Sequence, residues 1–354
     1  MSTNTVTAAR AGNRLSDTLR EAASKYGLIA VLLAMPVYLA ISDLSSKGNL
    51  TDLGNNLVLG VSNGAIFALI ALGYTLVYGI IELINFAHGE VFMIGSFVAF
   101  GLWGTFGLTE GMGAAGLIVG LVATLLVAMV VCGLLNVMIE RVAYKPLRNA
   151  PKLAPLITAI GMSFILQNVG VLWLGSSQSS VPDLIDQANP LLTIGGVVIH
   201  NGDVLAVGVT VPLVILATTF IARSRLGKAM RATAQDPDAA RLMGINVNTT
   251  ISMTFLLGGM LAGAAGLINL LYQTSVWYFQ GFTAGLIAFT AAVMGGIGNL
   301  KGAVLGGLII GCIQQLADNR IGAEWTTAVV FAYLVLIMVF RPQGLIGEVT
   351  REAG

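Results

Sequence analysis

Gly73–Phe100, GYTLVYGIIELINFAHGEVFMIGSFVAF, sets Glu82, Asn85, His88 and Glu90 between two long apolar runs. Charged groups at or near hydrocarbon are costly, so in such a setting they mark a pathway, a partner contact or a membrane interface. The stretch predicts a membrane chain with something to move. Composition agrees: of 354 residues, 56% are hydrophobic and 10% charged, and apolar stretches near spanning length recur. The 44 glycines, often beside alanine within those stretches, let helices meet backbone to backbone. The predicted fold class is all-α, a polytopic transmembrane helical bundle of eight to ten spans. A net charge of +1 gives no support to nucleic-acid binding.

Cys132 and Cys312 both lie in apolar runs with no neighbouring Cys or His at ligand spacing, so they read as small core residues. His88 and His200, the only histidines, are too far apart in sequence to suggest a metal cluster or an imidazole relay. No resident cofactor is expected.

Apolar runs fall at about 27–42, 55–81, 91–108, 114–139, 154–175, 203–222, 248–272, 282–297, 302–317 and 325–340. Several are shorter than the ~20 residues a spanning helix requires, so one or two are expected to be broken or re-entrant. The region after Tyr78 and the glycine-rich 295–302 are the places for a break, and freed backbone there must face protein or a cavity. With all ten runs crossing and the N-terminus inside, every one of the 18 Lys and Arg except Lys47 and Arg320 falls on the inner side. The positive-inside rule then gives N-in, C-in and an even number of spans.

This divides the chain into a cytoplasmic tail (1–26), a transmembrane domain (27–347) and a short cytoplasmic tail (348–354). Arg10, Arg14, Arg20 and Lys25 precede the first run, which reads as a signal anchor. A signal peptide cleaved near Ala40-Ile41-Ser42 is the competing reading. The largest exterior loop is at about 176–202 and the largest interior one at 223–247.

That interior loop, within Arg223 to Asn246, contains a short helix written between two spans. Asp236 is a good N-cap, Pro237 suits the first helical position and Gly244 the C-terminal stop. A helix over 237–243 would present Ala239 and Ala240 as a small, closely approachable surface, with Arg241 and Leu242 at its edges. Docking into a groove on a partner is one reading, and a solvated loop with a stray helical turn is the other.

Five segments in order resemble the LivH-type permease family, the membrane subunits of bacterial ABC importers for branched-chain amino acids. They are LVYGIIELINFAHGEVFMIGSF (76–97), ERVAYKPLRNAPKLAPLITAIGMSFILQN (140–168), GKAMRATAQDPDAARLMGIN (227–246), GGIGNLKGAVLGG (295–307) and FRPQGLIG (340–347). The likeness runs over about 55–347. The chain departs from the family at Gly95-Ser96-Phe97, where Gly-Ala-Tyr is common, and in a longer polar N-terminus.

The resemblance implies a bacterial cytoplasmic (inner) membrane importer. In it, two related permease subunits are driven by cytoplasmic ATPases and fed by an extracytoplasmic solute-binding protein. On that basis Asp236, Pro237, Ala239, Ala240, Arg241 and Gly244 match the family's coupling helix, and transport proceeds by alternating access. The chain carries no G-x-x-x-x-G-K-[ST] phosphate loop, so it is expected to be no enzyme, with ATP used by the partner subunits.

Glu82, Asn85, His88 and Glu90 keep two readings. They line the translocation path, or Glu82 and Glu90 sit at the inner interface while Asn85 and His88 satisfy backbone where a helix ends. Asn63, Thr158, Ser163, Gln167, Asn168, Asn269 and Gln273 read as interhelical hydrogen-bonding groups or pathway lining. Gly259/Gly263, Gly302/Gly306 and Gly307/Gly311 read as packing faces, and Arg341-Pro342 as the end of the last span. Two alternatives remain at this level: a urea or short-chain amide ABC permease, and an ion-coupled secondary transporter using Glu82, His88 or Glu90.

Overall fold

Hydropathy and burial together decide which helices form the core. The computed structural model describes residues 27–347 apart from 28, 47, 110, 149, 152 and 188. The tails 1–26 and 348–354, and Lys47 and Lys152, lie outside the described residues.

Among the described residues the helices are α1 (Ile29–Ser46), α2 (Thr51–Ile81), α3 (His88–Phe106), α4 (Ala114–Ile139), α5 (Leu153–Leu174) and α6 (Asn201–Arg223). They continue as α7 (Arg225–Gln235), α8 (Pro237–Leu242), α9 (Val247–Gln273), α10 (Gln280–Gly295), α11 (Leu300–Arg320) and α12 (Ala323–Phe340). Of the described helices, nine are long and apolar enough to cross a bilayer.

α2 and α9 are apolar on all sides, with no polar stripe to give to solvent, so they occupy the centre. In their most apolar windows 78% and 72% of residues are buried, against 17% in α1 and α6. α3, α10 and α11 complete the inner layer, while α1, α4, α5, α6 and α12 show large apolar side chains outward, as lipid-facing helices do.

Glycine sets how closely the inner layer packs. A Cβ on Gly307 would lie 2.5 Å from the Ala68 Cα, and one on Gly64 2.8 Å from the Leu308 Cα, so α2 and α11 touch through their backbones. Gly302 and Gly306 face Gly295 and Ala291 of α10, and Gly259 and Gly263 face Cys132 and Ala128 of α4. All three glycine pairs are packing faces. Cys132 is buried and donates its thiol to the Val91 carbonyl at 3.3 Å.

Both expected breaks are present. α2 stops at Ile81, with Glu82 in the left-handed region at φ 52°, and helix resumes at His88. Between α10 and α11 the chain turns at Gly296 and Gly298, with φ of 108° and 89°, conformations that only glycine adopts freely. The segment after α12 closes this turn: Leu345 and Ile346 donate their amides to Met294 and Gly295 at 2.8 and 3.0 Å. α12 itself ends at Phe340, before Arg341-Pro342, as read.

α10, with 16 residues, spans only about 24 Å. It nevertheless joins the two ends of the bundle. Before it, β4 (Ser275–Val276) pairs with β1 (Ser179–Ser180) at one end, and after it the Gly296 turn meets the C-terminal segment at the other. A Cβ on Gly27 would fall 2.6 Å from the Phe340 ring, so the described chain begins and ends at the same end of the bundle. Ala40–Ser42 lie inside α1. One residue later Asp43, almost fully buried, pairs with Arg320 and accepts the Leu53 amide at 3.0 Å.

The loop at 176–202 carries structure that was not anticipated. β2 (Pro190–Ile194) and β3 (Val197–His200) form an antiparallel hairpin around Gly195-Gly196, both at positive φ. It docks on the start of α2, where the Asn55 Oδ1 accepts the Val198 amide at 2.8 Å. Asp203 at the start of α6 accepts from Ser62 (2.7 Å) and Tyr272 (3.2 Å), clasping α6, α2 and α9 at that end.

Candidate functional site

Two regions carry the residues singled out by sequence: the α7–α8 elbow and the break between α2 and α3. In the elbow, Ser224 caps α7 by accepting the Gly227 amide at 2.9 Å. Asp236 caps α8, its Oδ1 accepting both the Asp238 and Ala239 amides at 2.9 Å, with Pro237 in the first turn. Gly244 ends the helix at φ 81°, and the Ile245 amide returns to the Ala240 carbonyl at 3.0 Å. Arg241 pairs with Asp238 on the exposed side at 2.6 Å.

The presented surface differs from the expected one. Ala240 is turned inward, 3% exposed and packed into the core, so it does not form a docking face with Ala239. Ala239 is exposed, and beside it Leu242 and Met243 stand 89% and 83% exposed. Two large apolar side chains at the tip of a charged elbow form an unpartnered contact point. Met243 was missed by sequence, although a Leu-Met pair directly after a capped helix in a basic loop was the signal.

The break between α2 and α3 is walled in by protein. The Asn85 Nδ2 donates to the Asn136 Oδ1 of α4 at 3.1 Å, and the Asn136 Nδ2 donates to the Phe255 carbonyl of α9 at 2.7 Å. The Tyr144 hydroxyl reaches the Ile84 carbonyl at 3.1 Å and the Asn85 Oδ1 at 3.3 Å. Unwound backbone at this depth is thus satisfied from α4 and the turn that follows it.

His88 is fully buried against the edge of Tyr74, ring centroids 4.7 Å apart, and its backbone partner is Ile70 in the middle of α2. It therefore does not satisfy the backbone where α2 ends.

Glu90 is also fully buried and its Oε1 accepts from Gln167 at 2.9 Å and Ser163 at 3.1 Å, both at the middle of α5. Glu90 is therefore satisfied by α5 inside the bundle. Glu82 is exposed at the end of α2. The remaining polar candidates divide. Thr158 and Asn168 bond carbonyls one turn back in their own helix, while the Asn63 Nδ2 donates to Gln315 at 3.2 Å.

A third cluster connects these two regions and was not assigned a role by sequence. At the end of α4 a π-turn over Glu140–Tyr144 aims Glu140 inward, where it pairs with Arg148 and accepts from Ser252 of α9 at 2.7 Å. Arg148 also donates to Asn248, in the first turn of α9 directly after the elbow. Tyr144, at the other end of the same π-turn, holds the α2–α3 break. A run of hydrogen bonds thus leads from the elbow to the broken helix.

Comparison with known proteins bears on this arrangement. The family described as "Branched-chain amino acid transport system / permease component" matches residues 56–339. The high-affinity branched-chain amino acid transport system permease protein BraD of Pseudomonas aeruginosa is 42% identical over 295 residues, covering 82% of this chain and 95% of that one. LivH of Escherichia coli K12, described in the same terms, is 41% identical over 298 residues, covering 82% and 94%. Among solved structures, a chain of PsaBC from Streptococcus pneumoniae aligns with a TM-score of 0.42 at 15% identity, covering 84% of this chain and 94% of that one. That last likeness is too slight to bear on fold or function.

Proposed function

The chain belongs to the family of branched-chain amino acid transport system permease components, and from that premise we propose that it is the membrane-spanning subunit of an ATP-driven importer for branched-chain or related neutral amino acids. It works in a bacterial cytoplasmic membrane beside a second, related permease, with ATPase subunits inside and a solute-binding protein outside. The observation that carries this reading is the capped α8, which sets exposed Leu242 and Met243 at the tip of the elbow.

Closure of an ATPase pair beneath α8 would push on α9 through Ile245 and Val247. The Asn248–Arg148–Glu140 contacts would pass that displacement to the π-turn, and Tyr144 to the α2–α3 break. A broken helix held by single hydrogen bonds is an element that can switch between two packings, as alternating access requires. The relatives' printed descriptions favour branched-chain amino acids over urea or short-chain amides, and no comparison supports an ion-coupled transporter.

The test is affinity purification of the chain from its native membrane, wild type against Ala239→Arg/Leu242→Arg, with co-purifying proteins identified by mass spectrometry. Wild type is expected to bring down ATPase subunits and a second permease. The double variant is expected to lose the ATPases and keep the permease. Wild type without any ATPase, under conditions that preserve other membrane complexes, would overturn the reading.

A further inference from the structure

Between α2, α9, α10, α11 and α12, toward the end of the bundle that carries the β2–β3 hairpin, lies a cavity of about 360 Å³. That is within the roughly 300–1,000 Å³ of small-molecule sites. Its wall is rich in carboxamides, among them Asn63, Asn269, Gln273, Gln280 and Gln314. Among the described residues one carboxylate, Asp318, faces it and no Lys or Arg lines it. The deeper wall is apolar, formed by Ile66, Phe67, Phe92 and Ile287.

Two of these amides are incomplete. Gln280 is 6% exposed and its Oε1 is held by the Trp277 amide at 3.4 Å, yet its Nε2 has no partner. The Gln314 Oε1 is likewise buried without one. Buried polar atoms cost free energy unless paired, so an unpaired donor and an unpaired acceptor on two side chains that line a ligand-sized cavity point to something that binds there. Asp318 is held in place by Thr326, which donates its hydroxyl to the carboxylate.

We infer that this cavity is a transit site within the single permease chain for a neutral α-amino acid with an apolar side chain. Asp318 takes the ammonium group, the Gln280 amide takes the carboxylate, and the side chain rests on Phe67, Phe92 and Ile287. The single carboxylate and the lack of lining cations turn away anions and admit a zwitterion. A site in a transport path has to hold its ligand weakly enough to release it, which suits one ionic contact and a half-exposed carboxylate. The inference rests on the importer reading and locates a substrate contact away from the α2–α3 break.

The test uses the whole complex, permease pair with ATPases, in lipid nanodiscs without binding protein. A Thr327→Cys reporter is placed at the exposed rim of the cavity. Its modification by a charged thiol reagent is expected to slow about threefold or more in saturating L-leucine, and not in 4-methylpentanoate, which lacks the ammonium. Adding Asp318→Asn is expected to remove the protection and to lower ATP-dependent leucine uptake about tenfold.

Equal protection by both compounds overturns the Asp318 assignment. No protection by leucine, in a preparation that does transport leucine once binding protein and ATP are added, overturns the site while leaving the importer reading intact. A wild-type complex that transports no branched-chain or related neutral amino acid sinks both. Should Asp318→Asn fail to assemble, the leucine protection in the Asp318-intact reporter decides alone.

Discussion

Glu90 shows how much one buried side chain can ask of its surroundings. It meets a hydroxyl and an amide, not a cation: Ser163 and Gln167 converge on the same Oε1. Glu90→Gln keeps an oxygen acceptor of the same reach, so it is expected to melt, in detergent, within about 1 kcal/mol of wild type. Glu90→Leu removes the acceptor shared by both donors, leaving Gln167 only its 3.3 Å contact to the Ser163 hydroxyl, and should lose about 1–3 kcal/mol. A leucine variant as stable as wild type would show that the polar contact contributes nothing. Arg148 and Glu140 form the opposite case, a true ion pair with the carboxylate fully buried. Arg148→Ala leaves that charge unpaired and is expected to cost about 3 kcal/mol or more, while Glu140→Gln retains its bond from Ser252 and costs less. The sequence made Glu90 conspicuous because it closes a short cluster of polar residues between two apolar runs. It could not supply the partners, which lie 73 and 77 residues away on another helix, since no local pattern links such positions. For the same reason Glu90 and His88 read as readily as interfacial groups as they did interior ones.

At the scale of the element, the glycine faces give the sharpest contrast. Gly307→Leu would drive a side chain into the backbone of α2 at Ala68 and force apart the most intimate helix pair in the bundle. Loss of folded protein is expected, at about 3 kcal/mol or more by analogy with overpacked cores. Gly208→Ala in α6 meets nothing within 4 Å and is expected to be neutral or stabilising by up to about 1 kcal/mol. Thermal melts of the two purified variants would check both; equal melting would deny that Gly307 sets the α2–α11 spacing. The breaks after Tyr78 and at 295–302 were legible because charge clusters and glycine runs interrupt a hydrophobic pattern whatever the helix packs against. The hairpin was not read, although Thr193-Ile194-Gly195-Gly196-Val197-Val198 has the two-glycine turn between β-branched residues that marks one. The face of α8 was beyond reach for a different reason. Six residues make too short a helix to show a periodic stripe, so whether Ala239 or Ala240 looks outward is decided by how the elbow rests on α9.

Taken as one body, the bundle has two chemically different ends. One end gathers the basic elbow, Arg148, the Gly296 turn and the C-terminal FRPQGLIG segment, and the other carries the hairpin and the β1–β4 pair. Charge asymmetry predicts that the first end faces the cytoplasm, in which case α10, eighth in chain order, brings the crossings to ten despite its length. Membrane-impermeant thiol labelling tests this directly, since Cys132 is buried and Cys312 half-buried and so both form a quiet background. Thr193→Cys in the hairpin is expected to react in intact cells, and Gln235→Cys in the elbow only after permeabilisation. α6 alone separates those two positions as a crossing. Trp277→Cys and Lys301→Cys flank α10 in the same way, and both positions are exposed. Trp277→Cys should react from outside and Lys301→Cys should not. Reaction of both in intact cells would make α10 re-entrant and leave an odd number of crossings. The described chain would then have to begin and end on opposite faces, so that outcome would overturn the arrangement in which Gly27 meets Phe340. Labelling at Lys301 therefore decides the number of crossings, while labelling at Gln235 decides which face the Leu242–Met243 tip presents to a partner.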